Sequence, residues 1–346
     1  MKYEDFAKDY DPLNITEKET ISHLRGIFEY HLENTPYWKR MKKKVNLDEI
    51  FEGKLEDVFE NIFNSNLAVS EKYLRNNWLD FLPNNYRGKV RFYQSSGTTR
   101  ERGILHWDYE YMKLLVKYSK ASFDEIYKLN EIYNEEYRMR ALAHGPYGWY
   151  QEEISELVWS YGGVLYFIGI ETYNLKEKVE RYGGNVPELR PLKIYTERVL
   201  EKDNINTVKT APPLLSLFSK KAEEIQTILT GGLDLTPQKF KEIQEMFPNA
   251  EVIPLYGHYG FGTNVGIVKR DMLLYYPNYP FTIIFPLVCR DERVEIVNYN
   301  EKGKMGIIMA RPELLVVKIE DEDIYRVPPT KPFKWDGFGN PKREVG

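Results

Sequence analysis

Four glycine-rich breaks, around positions 97, 145, 231 and 257, each close a short apolar run. The runs are Lys89-Val90-Arg91-Phe92-Tyr93, Arg140-Ala141-Leu142-Ala143-His144, residues 225–229 and Glu251-Val252-Ile253-Pro254-Leu255-Tyr256. Residues 111–127, 152–160, 175–182 and the stretch from Thr236-Pro237 to 246 read as helices, and Val164-Leu165-Tyr166-Phe167-Ile168 reads as a further strand. Strand, helix and strand at this spacing predict parallel crossovers. Ligands of such sheets sit beyond the carboxyl ends of the strands, where these breaks fall.

The first break is Gln94-Ser95-Ser96-Gly97-Thr98-Thr99-Arg100-Glu101-Arg102-Gly103, set between a predicted strand and a predicted helix. Hydroxyls, a glycine and open backbone N–H groups at a helix start can wrap an anion such as a phosphate. A turn capped by its own hydroxyls fits the same residues equally well. Gly145-Pro146-Tyr147-Gly148-Trp149 and Gly257-His258-Tyr259-Gly260-Phe261-Gly262 are turns loaded with aromatic residues.

The rest of the chain frames this core. Ile21, Leu24, Ile27, Phe28 and Leu32 recur at helical spacing within residues 17–44, and Thr35-Pro36 breaks that helix. Shorter helices are expected at 47–63 and 71–77, the second capped by Ser70. Residues 272–276, 282–288, 293–298, 305–309 and 314–319 read as strands, with a hairpin turn at 300–304. The tail, 327–346, is rich in proline and glycine and reads as a loop or a frayed end. The expected architecture is α/β: a helical segment (1–90), a mainly parallel sheet flanked by helices (91–265), and a smaller antiparallel β-subdomain with the tail (266–346).

At 346 residues the chain is long enough for one large or two medium cores. A net charge of -4 gives no nucleic-acid footprint. One cysteine, Cys289, excludes a cysteine-cluster metal site, and its apolar run predicts a buried, inert thiol. Five histidines without clustered spacing predict no zinc site. The charged start and the lack of any apolar run near ~20 residues predict a cytoplasmic protein with no membrane partner.

Several of these stretches together resemble the adenylate-forming superfamily of acyl-CoA synthetases, adenylation domains and luciferases. Within it they are most similar to the branch of phenylacetate–CoA ligase and acyl-protein synthetase. Ser95-Ser96-Gly97-Thr98-Thr99 resembles the family's phosphate loop. Thr35-Pro36-Tyr37-Trp38 with Arg40, and Ser70-Glu71-Lys72-Tyr73-Leu74-Arg75, resemble two amino-terminal segments of the branch. Thr230-Gly231-Gly232 falls where the family lines the adenine, and Pro254-Leu255-Tyr256-Gly257 resembles its tyrosine–glycine motif. Lys318-Ile319-Glu320-Asp321-Glu322-Asp323 aligns with the family's ribose-binding segment.

The resemblance implies ATP-dependent activation of a carboxylic acid as its acyl-adenylate. Ser95, Ser96, Gly97, Thr98 and Thr99 would hold phosphates; Gly231, Gly232, Tyr256 and Gly257 would flank the adenine. Asp323 would take the ribose hydroxyls, with Asp321 as the competing assignment; apart from the resemblance, the unbroken acidic run 320–323 reads as a solvated turn. Arg100 and His258 are the candidate catalytic groups, since a guanidinium fork suits phosphate oxygens. His144, Tyr147, Trp149 and Tyr259 would wall the acid, and such a wall suits an aryl acid. Three departures stand beside the match. Arg100-Glu101-Arg102 replaces a glycine and lysine. Gly260 replaces the glutamate that holds magnesium, which puts the Mg2+ site in doubt. The sequence stops near the expected hinge to a mobile carboxy-terminal domain, so a separate cap-domain or acyl-acceptor subunit is an expected partner. The competing expectation is a subunit that binds nucleotide or acyl-adenylate without turnover.

Overall fold

The computed structural model describes residue 3 and residues 9–95, 103–171, 178, 181, 186–187, 189–232, 235–269 and 271–343. The chain divides into two interleaved units. Unit 1 comprises Met1–Phe92, Ile104–Tyr118 and Leu274–Gly346; unit 2 comprises Tyr93–Gly103 and Ser119–Leu273.

Helix α1 (Glu17–Asn34) starts in a capping box: Thr16 accepts from the Glu19 N–H, and the Glu19 carboxylate takes the Thr16 N–H at 2.8 Å. Leu24, Ile27, Phe28 and Leu32 are buried, as their spacing predicts. Thr35 is extended because proline follows, and Pro36 opens α2 (Pro36–Met41), where a missing N–H costs nothing. Helices α3 (Leu47–Ile50), α4 (Leu55–Asn64) and α5 (Glu71–Asn76) follow. Strands β1 (Val90–Gln94) and β2 (Ile104–Asp108) pair with each other, and α6 (Tyr109–Tyr127) comes next.

Unit 2 carries α7 (Leu129–Ile132), β3 (Arg140–Gly145), α8 (Trp149–Ser160), β4 (Val164–Gly169), α9 (Leu189–Lys202), β5 (Thr207–Thr210), β6 (Thr227–Gly231), α10 (Pro237–Met246), β7 (Glu251–His258) and β8 (Gly262–Lys269). The strand order is β8-β7-β6-β5-β3-β4, parallel throughout except for β8, which turns back antiparallel to β7. Ala141, Leu142, Ala143, Val208, Ile228, Leu229 and Ile253 are fully buried, the mark of a parallel sheet covered on both faces.

Strand β9 (Met272–Tyr276) enters unit 1 at Leu274, and β10 (Thr282–Arg290), β11 (Arg293–Ile296), β12 (Lys302–Ala310), β13 (Leu315–Val327) and β14 (Gly337–Arg343) complete that unit. They pair antiparallel in the order β11-β10-β12-β13-β14, and Phe338 and Gly339 of β14 pair with Tyr275 and Leu274 of β9. Three side chains pin the first two helices to this sheet. His23 and His31 donate from Nε2 to the carbonyls of Ala310 and Arg311, and the Trp38 indole donates to Leu315.

The expected α/β class with parallel crossovers and an antiparallel β-region is what the structure shows. Three local expectations are corrected. Residues 337–343 form β14, because pairing with β13 and β9 overrides a glycine- and proline-rich composition. The acidic run 320–323 lies inside β13, where Lys318 pairs with Glu320, and Lys302 and Lys304 pair with Asp323. Cys289 is exposed, since it falls near the outer end of β10. Strands β2 and β5 and helix α9 were not anticipated, and the predicted helix at 175–182 falls mostly outside the described residues.

Candidate functional site

At the carboxyl end of β7, in unit 2, four rings gather. His258 stacks on Phe261, with centroids 4.5 Å apart and planes 15° apart, and Tyr259 lies 4.9 Å from His258. Tyr256 stacks loosely on Phe261 at 6.4 Å. The Gly260 N–H donates to His258 Nδ1 at 3.0 Å, which leaves the ring proton on Nε2. Position 260 is a glycine, so this turn brings no carboxylate for a magnesium ion. Among the described residues, no group of three His, Cys, Asp or Glu side chains is placed to hold a metal.

The turn after β3 reaches the same place. Gly148 adopts φ +103°, a conformation that L side chains rarely enter, and this releases the chain into α8. Trp149 opens that helix, and its ring edge stands 3.4 Å from where a Cβ on Gly257 would be. The end of β1 is tied in as well: the Tyr93 hydroxyl donates to Glu152 of α8 at 2.6 Å. Beyond it, the Ser95 N–H donates to the Gly103 carbonyl at 2.8 Å, and the Gly103 N–H donates to Ser95 Oγ at 2.9 Å. These two bonds close the neck of the hydroxyl-rich turn. A Cβ on Gly103 would stand 2.9 Å from the Tyr259 hydroxyl, so the neck lies directly against the aromatic turn. Ser96, Gly97, Thr98, Thr99 and Arg100 lie outside the described residues.

At the end of β6 the backbone itself is the surface. The Leu255 carbonyl oxygen lies 1.9 Å from where a Cβ on Gly231 would be, so no side chain can stand there. The Cβ position of Gly232 meets no heavy atom within 4 Å. This bare backbone pairs with β7 beside Tyr256; Gly231, Gly232, Tyr256 and Gly257 are the residues expected to flank an adenine.

Of the other predicted residues, Tyr147 is 70% exposed, its ring 5.7 Å from Phe167. His144 is buried, with its ring nitrogens against the hydroxyls of Thr210 (3.0 Å) and Thr196 (2.8 Å). Burial pulls its pKa down to about 4, so the ring is neutral and braces α9 against the sheet. Asp323 belongs to unit 1, where Lys302 (2.7 Å) and Lys304 (3.1 Å) grip its carboxylate. Hydrogen bonds from Lys302 and then Lys304 hold it below the usual carboxylate range.

Sequence reasoning passed over a buried charged group under the Trp149 wall. Glu153, one turn along α8 from Trp149, and Lys209, in the middle of β5, are 3% and 4% exposed. Burial pushes the Glu153 carboxyl up and the Lys209 ammonium down, and each charge partly counters the other's shift. A lysine in a strand buried on both faces was the available signal.

No protein-family model and no curated protein matches this sequence. Among solved structures, the chain is similar to 2-hydroxyisobutyryl-CoA ligase in complex with 2-HIB-AMP and CoA in the thioesterification state. The TM-score is 0.63 and the identity 12%, covering 95% of this chain and 68% of the ligase. A luciferase-like enzyme from the nonluminescent mealworm Zophobas morio aligns at a TM-score of 0.40 and 14% identity, over 74% of this chain and 58% of that one. The chain thus has the fold of that CoA ligase.

Proposed function

We propose that this chain activates a carboxylic acid, of the aryl class, by adenylation with ATP. One observation carries the reading: in unit 2 the closed neck of the hydroxyl-rich turn, Ser95 and Gly103, lies against the aromatic turn that holds Tyr256, His258 and Tyr259. A phosphate-binding loop and a planar-ligand wall must meet where the acid attacks the α-phosphorus.

In this reading the Ser95–Thr99 hydroxyls hold the β- and γ-phosphates, and Arg100 offsets charge on the leaving pyrophosphate. The adenine lies on Gly231 and Gly232 beside Tyr256 and Gly257. Tyr147, Trp149 and Tyr259 hold the acid in line, and the Nε2–H of His258 donates to a carboxylate oxygen. His144 supports the wall from behind through Thr196 and Thr210. Asp323 carries the ribose assignment by resemblance, and a separate cap-domain or acyl-acceptor subunit belongs to the same proposal. The residues of the 258–261 turn supply no carboxylate for Mg2+, so no role is given to a metal held there.

ATP–pyrophosphate exchange with a panel of aryl acids tests the reading. Exchange that needs an aryl acid is expected, and Thr98→Ala should lower it on the order of 100-fold. Loss of adenine-nucleotide affinity in Asp323→Ala checks the ribose assignment. A chain that exchanges pyrophosphate with no acid would overturn the proposal. Gly260 is the one observation that favours a second reading, a non-catalytic nucleotide- or acyl-adenylate-binding subunit. AMP binding without exchange on any acid is its signature.

A further inference from the structure

Lys209 lies in β5, paired with Ala143 of β3 and Leu229 of β6, and is 4% exposed. An ammonium has three N–H donors, and a buried one is normally surrounded by acceptors. Among the described residues, Lys209 Nζ has no hydrogen bond and no ion pair. Its near neighbour is the face of the Tyr150 ring, 4.4 Å from the centroid. Glu153, 3% exposed, accepts from the Thr263 hydroxyl at 2.9 Å and stays out of ion-pair contact with Lys209. The two groups thus lie in one buried layer without pairing with each other, and the ammonium, which keeps a trace of solvent contact, lacks a protein acceptor.

Their position is specific. Glu153 follows Trp149 by four residues, so both lie on one face of α8. Thr263 is the cross-strand partner of Gly257, the residue that faces the Trp149 ring. Tyr150, which carries Lys209 on its face, is the neighbour of Trp149. The charged pair therefore continues the aromatic wall inward, within unit 2.

We infer that Lys209 and Glu153 form the inner end of the acid site and read a hydroxyl on the substrate, Lys209 donating to its oxygen and Glu153 accepting its hydrogen. The substrate class is a hydroxyaryl carboxylic acid. The charges of the pair sum to zero, so a second carboxylate on the acid would bring an uncompensated charge into a buried layer. An unsubstituted ring would leave both groups half-satisfied. A hydroxyl is both donor and acceptor and completes both. This inference rests on the adenylation reading.

The test compares exchange on matched acids, benzoate against 4-hydroxybenzoate and phenylacetate against 4-hydroxyphenylacetate, using the full chain. The better hydroxylated acid should exceed its parent in kcat/KM by at least about tenfold. Lys209→Met and Glu153→Gln should each bring that ratio within about twofold of unity. If Lys209→Met fails to fold, Glu153→Gln alone decides. Equal rates on both members of each pair, or a ratio unchanged in the variants, overturns the inference and leaves adenylation standing. Exchange with no acid overturns both.

Discussion

A largely buried ammonium without a protein acceptor works against folding, and the cost shows in stability. Replacing charged groups at such positions by uncharged ones of similar volume removes their desolvation cost. The double variant Lys209→Met/Glu153→Gln should therefore have a higher urea midpoint than the parent chain. A lower midpoint would mean that the pair is already satisfied in the free protein. Gly231 is the opposite case at the same scale. With the Leu255 carbonyl 1.9 Å from the missing Cβ, Gly231→Ala must push β6 away from β7. It should cost about 1–3 kcal/mol, visible in thermal melts, and it should weaken adenine-nucleotide binding as well. Unchanged melting would show that the two strands can part at that point without penalty.

Among the elements, those with strong internal periodicity were readable from the residues. α1 shows this: its apolar spacing, its Thr16 cap and the stop at Thr35-Pro36 all lie in the local order of residues. Four of the five parallel strands, β3, β4, β6 and β7, were readable for the same reason, as short apolar runs closed by glycine; β5 was not, since Thr207-Val208-Lys209-Thr210 is neither apolar nor followed by glycine. β14 was not, because Gly337, Gly339, Asn340 and Pro341 are all poor strand formers. Its pairing with β13 and β9 is long-range and leaves no local trace. The acidic residues of β13 misled for a related reason: their lysine partners sit on the neighbouring β12. In the candidate site, the aromatic turns and the glycines stood out. Lys209 and Glu153 did not, since only the fold reveals that both are buried. β14 can be tested as an element. Phe338 is fully buried, and Phe338→Ala should destabilise the chain by about 3–5 kcal/mol, measured by urea unfolding. A loss under 1 kcal/mol would mean that the strand is peripheral to the core.

For the molecule as a whole, pH is the informative variable. His23, His106 and His144 have pKa values pulled down by burial to about 4, and His31 to about 3. Their folded values lie below the ordinary 6.5, so the fold prefers the neutral rings. Their contribution is complete above pH 6.5 and is lost as pH falls toward 4, because the unfolded chain takes up protons first. At pH 5.5 each ring forgoes on the order of 1 kcal/mol. Glu153, Glu251, Glu313 and Asp336, whose carboxyls burial pushes up, offset part of that loss. Histidine ring-nitrogen spectra at pH 5.5 should show four neutral imidazoles in the folded protein. Four protonated rings would refute their burial.

The interleaving of the two units also sets an order of assembly during synthesis. When residue 273 has left the ribosome, every residue of unit 2 is already in hand, and its sheet can close. Unit 1 must wait, because β10 to β14 come from the stretch that begins at Leu274. Until then the apolar faces of α1 and α4 have no sheet to rest on. These helices are made before unit 2 and covered after it, so until β10 to β14 are made they are the surface on which a nascent-chain chaperone would act.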